Sequence, residues 1–158
     1  MCDMIRLSVL VGKLLTLLVI LMPNVVATTV YTDVGNMVTI APLLGLTAMA
    51  NANDRLINID DHDTVIIRVY WEARDETTSG AGSDHGFELK VVRNTEDPRI
   101  DVVDFPLLPT ESDNGDLNIK YIDCYEGDIF YVDILCRVRY NGTLIYTYDT
   151  DSCTVTTY

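Results

Sequence analysis

The chain has 158 residues, with 24 acidic against 11 basic side chains and a net charge of −13. That length suits one domain around one core, and the charge repels nucleic acid and anionic lipid while raising encounter rates with cationic proteins. Solubility alone is the other account of the charge.

The first 27 residues read as a secretory leader. Arg6 precedes the apolar run Leu7–Met22, Pro23 breaks it, and Val25 and Ala27 hold the −3 and −1 positions of a cleavage site. A retained signal anchor is the alternative. Lys13 interrupts the run, leaving it short of the ~20 apolar residues of a span. Cleavage leaves residues 28–158 as a single secreted, extracellular domain with no membrane insertion. Loss of Asp3, Arg6 and Lys13 takes its charge to −14.

From Thr28 onward, short β-branched and aromatic runs alternate with Gly, Pro, Asn and Asp clusters, which predicts an all-β antiparallel β-sandwich. The expected strands are Thr29–Asp33, Asn36–Ala41, Arg55–Ile59, Thr64–Arg74, Gly86–Arg93 and Arg99–Asp104, then Asp116–Asp123, Asp128–Tyr140, Thr143–Tyr148 and Cys153–Thr157. Pro42–Asp54 reads either way and could hold a helical turn. Asp75–Gly86 reads as a flexible connection, and Phe105–Asp116 as an apolar-then-acidic loop.

Two strands alternate clearly enough to assign a core face. Val65, Ile67, Val69, Trp71 and Ala73 share one, and Phe130, Val132, Ile134, Cys136, Val138 and Tyr140 share the other. Asn141-Gly142 is a two-residue hairpin signal, because both central residues of a type I′ turn need positive φ. It would set Tyr140 against Thr143, Val138 against Ile145 and Arg137 against Tyr146. A second two-residue turn at Glu126-Gly127 would set Lys120 against Asp133, with Ile119 and Tyr121 opposite Ile134 and Val132.

Three cysteines remain after the leader: Cys124, Cys136 and Cys153. In an unbroken hairpin Cys136 lies about six residues from Cys153, and at ~3.3 Å per residue that exceeds disulfide reach. A Cys124–Cys153 bridge, bent at Asp149–Asp151, is therefore expected, with Cys136 a buried thiol. Pairing with another chain stays open. Asn141-Gly142-Thr143 is a glycosylation sequon.

No arrangement of residues suggests an enzyme, and none suggests a cofactor. His62 in Asp60–Asp63 and His85 lack metal-ligand spacing to a second His or Cys, so solvated turns are the simpler reading. Ser112–Asp116 lacks the alternating ligands and closing Glu of a calcium loop, and reads as a turn. A binding surface has more material. The outer face of the Asn-Gly hairpin would display Tyr131, Arg137, Arg139, Tyr146 and Tyr148, residue types that anchor interfaces, unless a second layer covers them. Asp113, Asp116 and Glu126, with Glu111, Asp123, Asp128, Asp149 and Asp151, make either a docking zone for a basic ligand or a solvated rim.

Two resemblances follow. Thr32–Ile40 ("TDVGNMVTI") and Trp71 are similar to an early strand and the core tryptophan of immunoglobulin-like domains. No cysteine of residues 28–158 precedes Trp71, and Ile134 stands where Tyr-x-Cys would place its tyrosine. Ile66–Glu76 ("IIRVYWEARDE"), Asn114–Cys124 ("NGDLNIKYIDC") and Ile129–Val138 ("IFYVDILCRV") resemble strands of the secreted poxvirus immune-evasion family. That family includes viral chemokine-binding proteins, which are acidic β-sandwiches; Asp128 stands about where it would have a cysteine. The resemblance implies a non-enzymatic protein that sequesters a host chemokine or cytokine. The alternative is an immunoglobulin-like adhesion or receptor-ligand module.

Overall fold

The computed structural model describes residues 26–41, 47–140 and 143–158, and only the backbone of residue 41 and residues 143–148. Most of the expected leader and the Asn141 sequon lie outside the described residues.

The described residues are all β, in two sheets. Nine strands follow in order: β1 Thr29–Ala41, β2 Thr47–Ala52, β3 Arg55–Ile57, β4 Asp63–Asp75, β5 Ser83–Arg93, β6 Arg99–Leu107, β7 Ser112–Cys124, β8 Ile129–Tyr140 and β9 Thr143–Thr157. The four-stranded sheet has the order β2-β1-β4-β7 and the five-stranded sheet β3-β9-β8-β5-β6. Their inner faces meet in a sandwich-like core, where Val65, Ile67 and Val69 of one sheet and Leu89, Phe130 and Val132 of the other are buried. Both alternating strands bury the expected faces; only Tyr140 stays half-buried at its strand end.

The sheets are mixed rather than antiparallel. β1 runs parallel to β4, and β3 parallel to β9. The cause is the route of the chain. It leaves β2, joins the other sheet as the three-residue β3, and returns as β4 in the direction of β1.

Segments expected to be separate prove continuous. Thr29–Asp33 and Asn36–Ala41 are one strand with a register shift between Asp33 and Gly35. The bulge turns both Val34 and Met37 into the core, which breaks the two-residue period. Gly35 is needed there, since a Cβ would lie 1.7 Å from the carbonyl oxygen of Asn51. Residues 47–52 of the ambiguous stretch form β2, Ser112–Asp116 lies inside β7, and β9 runs through the expected bend at Asp149–Asp151.

Two pairings differ from expectation. Tyr140 does pair with Thr143, but the register then slips by two, so Val138 faces Thr147 and Arg137 faces Tyr148. An even slip keeps every residue on its face, so face assignment survives a wrong register. β7 and β8 do not form a hairpin. The chain turns at Tyr125–Asp128, where the Asp128 amide donates to the Tyr125 carbonyl at 3.2 Å, and crosses between sheets. Lys120 therefore pairs with Ile66, and Asp133 meets Lys90 at 3.2 Å. Apolar residues of β7 and β8 still meet, across the core: the Tyr121 and Phe130 rings lie edge to face at 5.1 Å.

The Cys124–Cys153 bridge is not formed. All three described cysteines are free and buried. Cys124 ends β7 opposite Asp63 in one sheet, whereas Cys153 sits opposite Val132 in the other. Burial pushes the Cys136 thiol up to about 12 and the Cys153 thiol up to about 11, and raises that of Cys124. Such thiols are poor nucleophiles at neutral pH.

The single tryptophan depends on a glycine across the sheet. Gly115 pairs with Trp71, and a Cβ there would lie 2.7 Å from Trp71 Cζ2. The indole already packs against Phe87 and Phe105, each at 5.0 Å between ring centroids, so it has little room to give. Gly115→Val is expected to cost about 2 kcal/mol by overpacking. A lower urea midpoint together with shifted tryptophan emission checks this, and unchanged emission would place the strain elsewhere.

Candidate functional site

Two recesses lie on the outer face of the five-stranded sheet. Alternation sends Asp84, Gly86, Glu88 and Lys90 of β5 outward, with Ile100, Val102, Asp104 and Pro106 of β6 and Tyr131, Asp133, Leu135, Arg137 and Arg139 of β8. This face remains at the surface: Tyr131 is 49% exposed, and Leu135, Arg137 and Arg139 are half-buried. Arg137 and Arg139 are in register with Tyr148 and Tyr146, whose side chains lie outside the described residues.

One row crosses three strands. Gly86 stands between Asp104 and Arg137, and the Arg137 guanidinium reaches over it to donate to both Asp104 carboxylate oxygens at 2.6 Å. A Cβ at residue 86 would lie 2.3 Å from Asp104 Oδ1 and 2.4 Å from Arg137 Nε, so the glycine is the gap that the pair spans. Around this row lies a recess of about 480 Å³ lined by Asp84, Asp104, Pro106, Arg137 and Arg139. A second, of about 410 Å³, adjoins the Lys90–Asp133 pair and is lined also by Glu88, Leu135 and Asp151.

Among the described residues no side chain is bonded to the backbone of β6 on its outer side, whereas β7, β2 and β9 are capped. On β7, Arg99 donates to the Lys120 carbonyl at 2.7 Å, and Asp101 accepts from the Asn118 amide at 2.8 Å. On β2, Asp149 and Asp151 accept from the amides of Ala50 and Ala52, at 2.7 and 2.9 Å. On β9, beyond the short β3, Asp54 accepts from the Thr154 amide at 2.7 Å. Since outward-facing Thr154 points its amide away from β8, the alternation of antiparallel strands directs the backbone groups of Ile100, Val102 and Asp104 toward the open side of β6. Pro106, in the same phase, has no N–H to lose there. Ile100 and Val102 are 55% and 52% exposed.

The expected acidic residues are not gathered beside this face. Asp113 and Asp116 are exposed on β7, in the other sheet, and Glu126 is exposed in the turn before β8. Several of the remaining acids are spent inside the fold. Asp149 and Asp151 seal β2, Glu111 accepts from the Leu108 amide at 2.9 Å, and Asp128 pairs with Arg93 at 2.8 Å. Asp123 meets His62 Nδ1 at 3.4 Å.

Beneath the first recess is a buried polar chain that reading the sequence missed. The Asp75 carboxylate accepts from the Thr77 amide at 2.8 Å, the Thr77 hydroxyl at 2.5 Å and the Ser83 hydroxyl at 2.8 Å. Ser83 Oγ lies 2.7 Å from His85 Nε2, and His85 Nδ1 has no partner. With the Ser83 proton given to Asp75, His85 must donate from Nε2. That is the reverse of the arrangement in which histidine takes a proton from a serine nucleophile. Ser83 and His85 are also buried. The chain fastens the Asp75–Ser83 connection, which had read as flexible. Desolvation pushes the His85 imidazole down to about 4. Ser83 and His85 alternate on the inner face of β5, a signal hidden by starting that strand at Gly86.

Among the described residues there is no cluster of side chains placed to hold a metal ion and no helix long and apolar enough to cross a membrane. No protein-family model matches the chain, no curated protein matches its sequence, and no solved structure matches its fold.

Proposed function

We propose that this chain is a secreted, non-enzymatic binding protein that captures a basic protein ligand of the chemokine or cytokine class. The observation that carries the reading is the uncovered outer face of the five-stranded sheet. Asp84, Glu88, Asp104 and Asp133 outnumber Lys90, Arg137 and Arg139 around its two recesses, and β6 beside it has an open edge with Ile100 and Val102 exposed. The net charge, −13 for the full chain and −14 without the leader, steers a cationic ligand from a distance, and the local carboxylates hold it at contact. Tyr131 supplies an amphipathic anchor. The poxvirus-type resemblance agrees with this chemistry.

Charge reversal separates steering from contact. Asp113→Lys with Asp116→Lys, on the far sheet, should slow association two- to fivefold and leave dissociation unchanged. Glu88→Lys with Asp133→Lys should slow association similarly and also speed dissociation about tenfold. Surface plasmon resonance with a basic chemokine panel, at low and physiological salt, reads both rates. Capture by no member of the panel, or rates that ignore salt and both pairs, would remove the proposal. An immunoglobulin-like adhesion module would instead bind a cell-surface receptor with little salt dependence.

A further inference from the structure

Asp63 is a buried carboxylate at the start of β4, 1% exposed, in no ion pair among the described residues. Burying a carboxylate without a counter-charge is costly unless donors surround it. Three do: the Thr28 backbone nitrogen at 2.6 Å, the Thr28 hydroxyl at 2.8 Å and the Asp60 amide at 3.0 Å. Hydrogen bonds from the backbone of Thr28 and Asp60 hold its carboxyl below the usual range. The Thr28 carbonyl accepts from Thr64 at 2.8 Å, which clamps the residue at the head of the parallel β1–β4 ladder.

Thr28 is also the residue that follows the expected cleavage site. We propose that Asp63 is the receptor for a new amino terminus: cutting the Ala27–Thr28 bond creates an α-ammonium on the nitrogen that already faces this carboxylate. The step is peptide hydrolysis by a leader peptidase. Water adds across the bond, Ala27 leaves as a carboxylate, and the Thr28 amine takes a proton. The nitrogen keeps its place and gains a charge, so a neutral donor becomes the missing counter-ion. A charge-assisted bond of this kind is about twice as strong as a neutral one. The leader-bearing chain lacks that ion pair, so removal of the leader locks β1 onto β4.

The inference rests on reading residues 1–27 as a leader, but its test does not depend on the route of export. Protein starting at Thr28, freed from a fusion by a protease that leaves no extra residue, is compared with the same protein extended by one glycine and with its Nα-acetylated form. The charged groups around Asp63 are Asp60, Asp61 and His62 in the preceding turn and Asp123 beside Cys124 on β7; all three proteins share them. With the terminus at Thr28, the α-amine should titrate about one unit above its usual ~7.7–8.0. The urea midpoint should exceed those of the other two forms, and the excess should vanish as the amine deprotonates. Asp63→Asn should abolish the difference between forms; if it does not fold, the glycine-extended and acetylated proteins carry the comparison. An ordinary amine titration, or equal midpoints, overturns the proposal. A secreted chain that begins elsewhere, read by amino-terminal sequencing, overturns it too, even where the protein started at Thr28 shows the ion pair.

Discussion

Stability is expected to fall by about 2–3 kcal/mol between pH 7 and pH 4 because of one side chain, the imidazole of His85. It is 1% exposed, packed against Phe105 with ring centroids 5.8 Å apart, and bonded only through Nε2. Desolvation pushes it down to about 4 from 6.5, against the opposing pull of Asp75 and Asp84. Between those two values the unfolded chain binds a proton that the folded chain refuses. The contribution is therefore intact above pH 6.5 and is lost as the pH falls toward 4. His85→Gln keeps a donor for Ser83 but cannot titrate. It should start less stable at pH 7 and lose less on acidification, so the two stability curves converge. Urea unfolding at each pH unit measures both slopes. Parallel curves would mean that the folded protein accepts the proton and that the Asp75–Ser83–His85 chain is open to water.

The same residues show where the sequence was legible. Burial of one strand face imprints a period of two, so the core faces of β4 and β8 could be read directly from Val65 to Ala73 and from Phe130 to Val138. A bulge erases that period, which is why β1 read as two strands around Val34. β2 (Thr47–Ala52) is half alanine with one asparagine, residue types depleted in strands; it forms because β1 supplies a partner. Sheet membership was legible for the β8–β9 hairpin but not for β7. Ile119 and Tyr121 need apolar neighbours, and strands bonded beside them or stacked across the core supply these equally well, so pattern matching cannot separate the two. Of the candidate face, Tyr131, Arg137 and Arg139 were placed correctly on the outer side of β8 because the two-residue alternation of that strand sets the face whatever its partner. Gly86 was invisible, because its importance lies in what passes over it.

Acidic residues were the hardest to interpret, and Asp128 gives the clearest test of why. By composition it belongs with Asp113 and Glu126; by structure it is an internal fastener. Its carboxylate accepts from the Tyr125 amide at 2.9 Å and Asn94 Nδ2 at 2.7 Å, and pairs with Arg93 at 2.8 Å, where the two side chains are only 9% and 12% exposed. Asn94, held with φ at 49°, returns a bond by accepting from the Ile129 amide at 2.9 Å. One carboxylate thus ties the end of β5 to the turn that carries the chain between sheets. An ion pair and two hydrogen bonds hold this corner. Asp128→Ala is expected to cost about 3 kcal/mol, since it leaves Arg93 largely buried without its closest carboxylate. Asp113→Ala, on the exposed rim, should stay within about 0.5 kcal/mol of the parent. Denaturant midpoints measure both. Arg93→Met with Asp128→Leu supplies the control: if the loss comes from an unpaired charge rather than lost contacts, removing both charges should restore most of the stability. A double variant no better than Asp128→Ala would instead assign the cost to the hydrogen bonds of Tyr125 and Asn94.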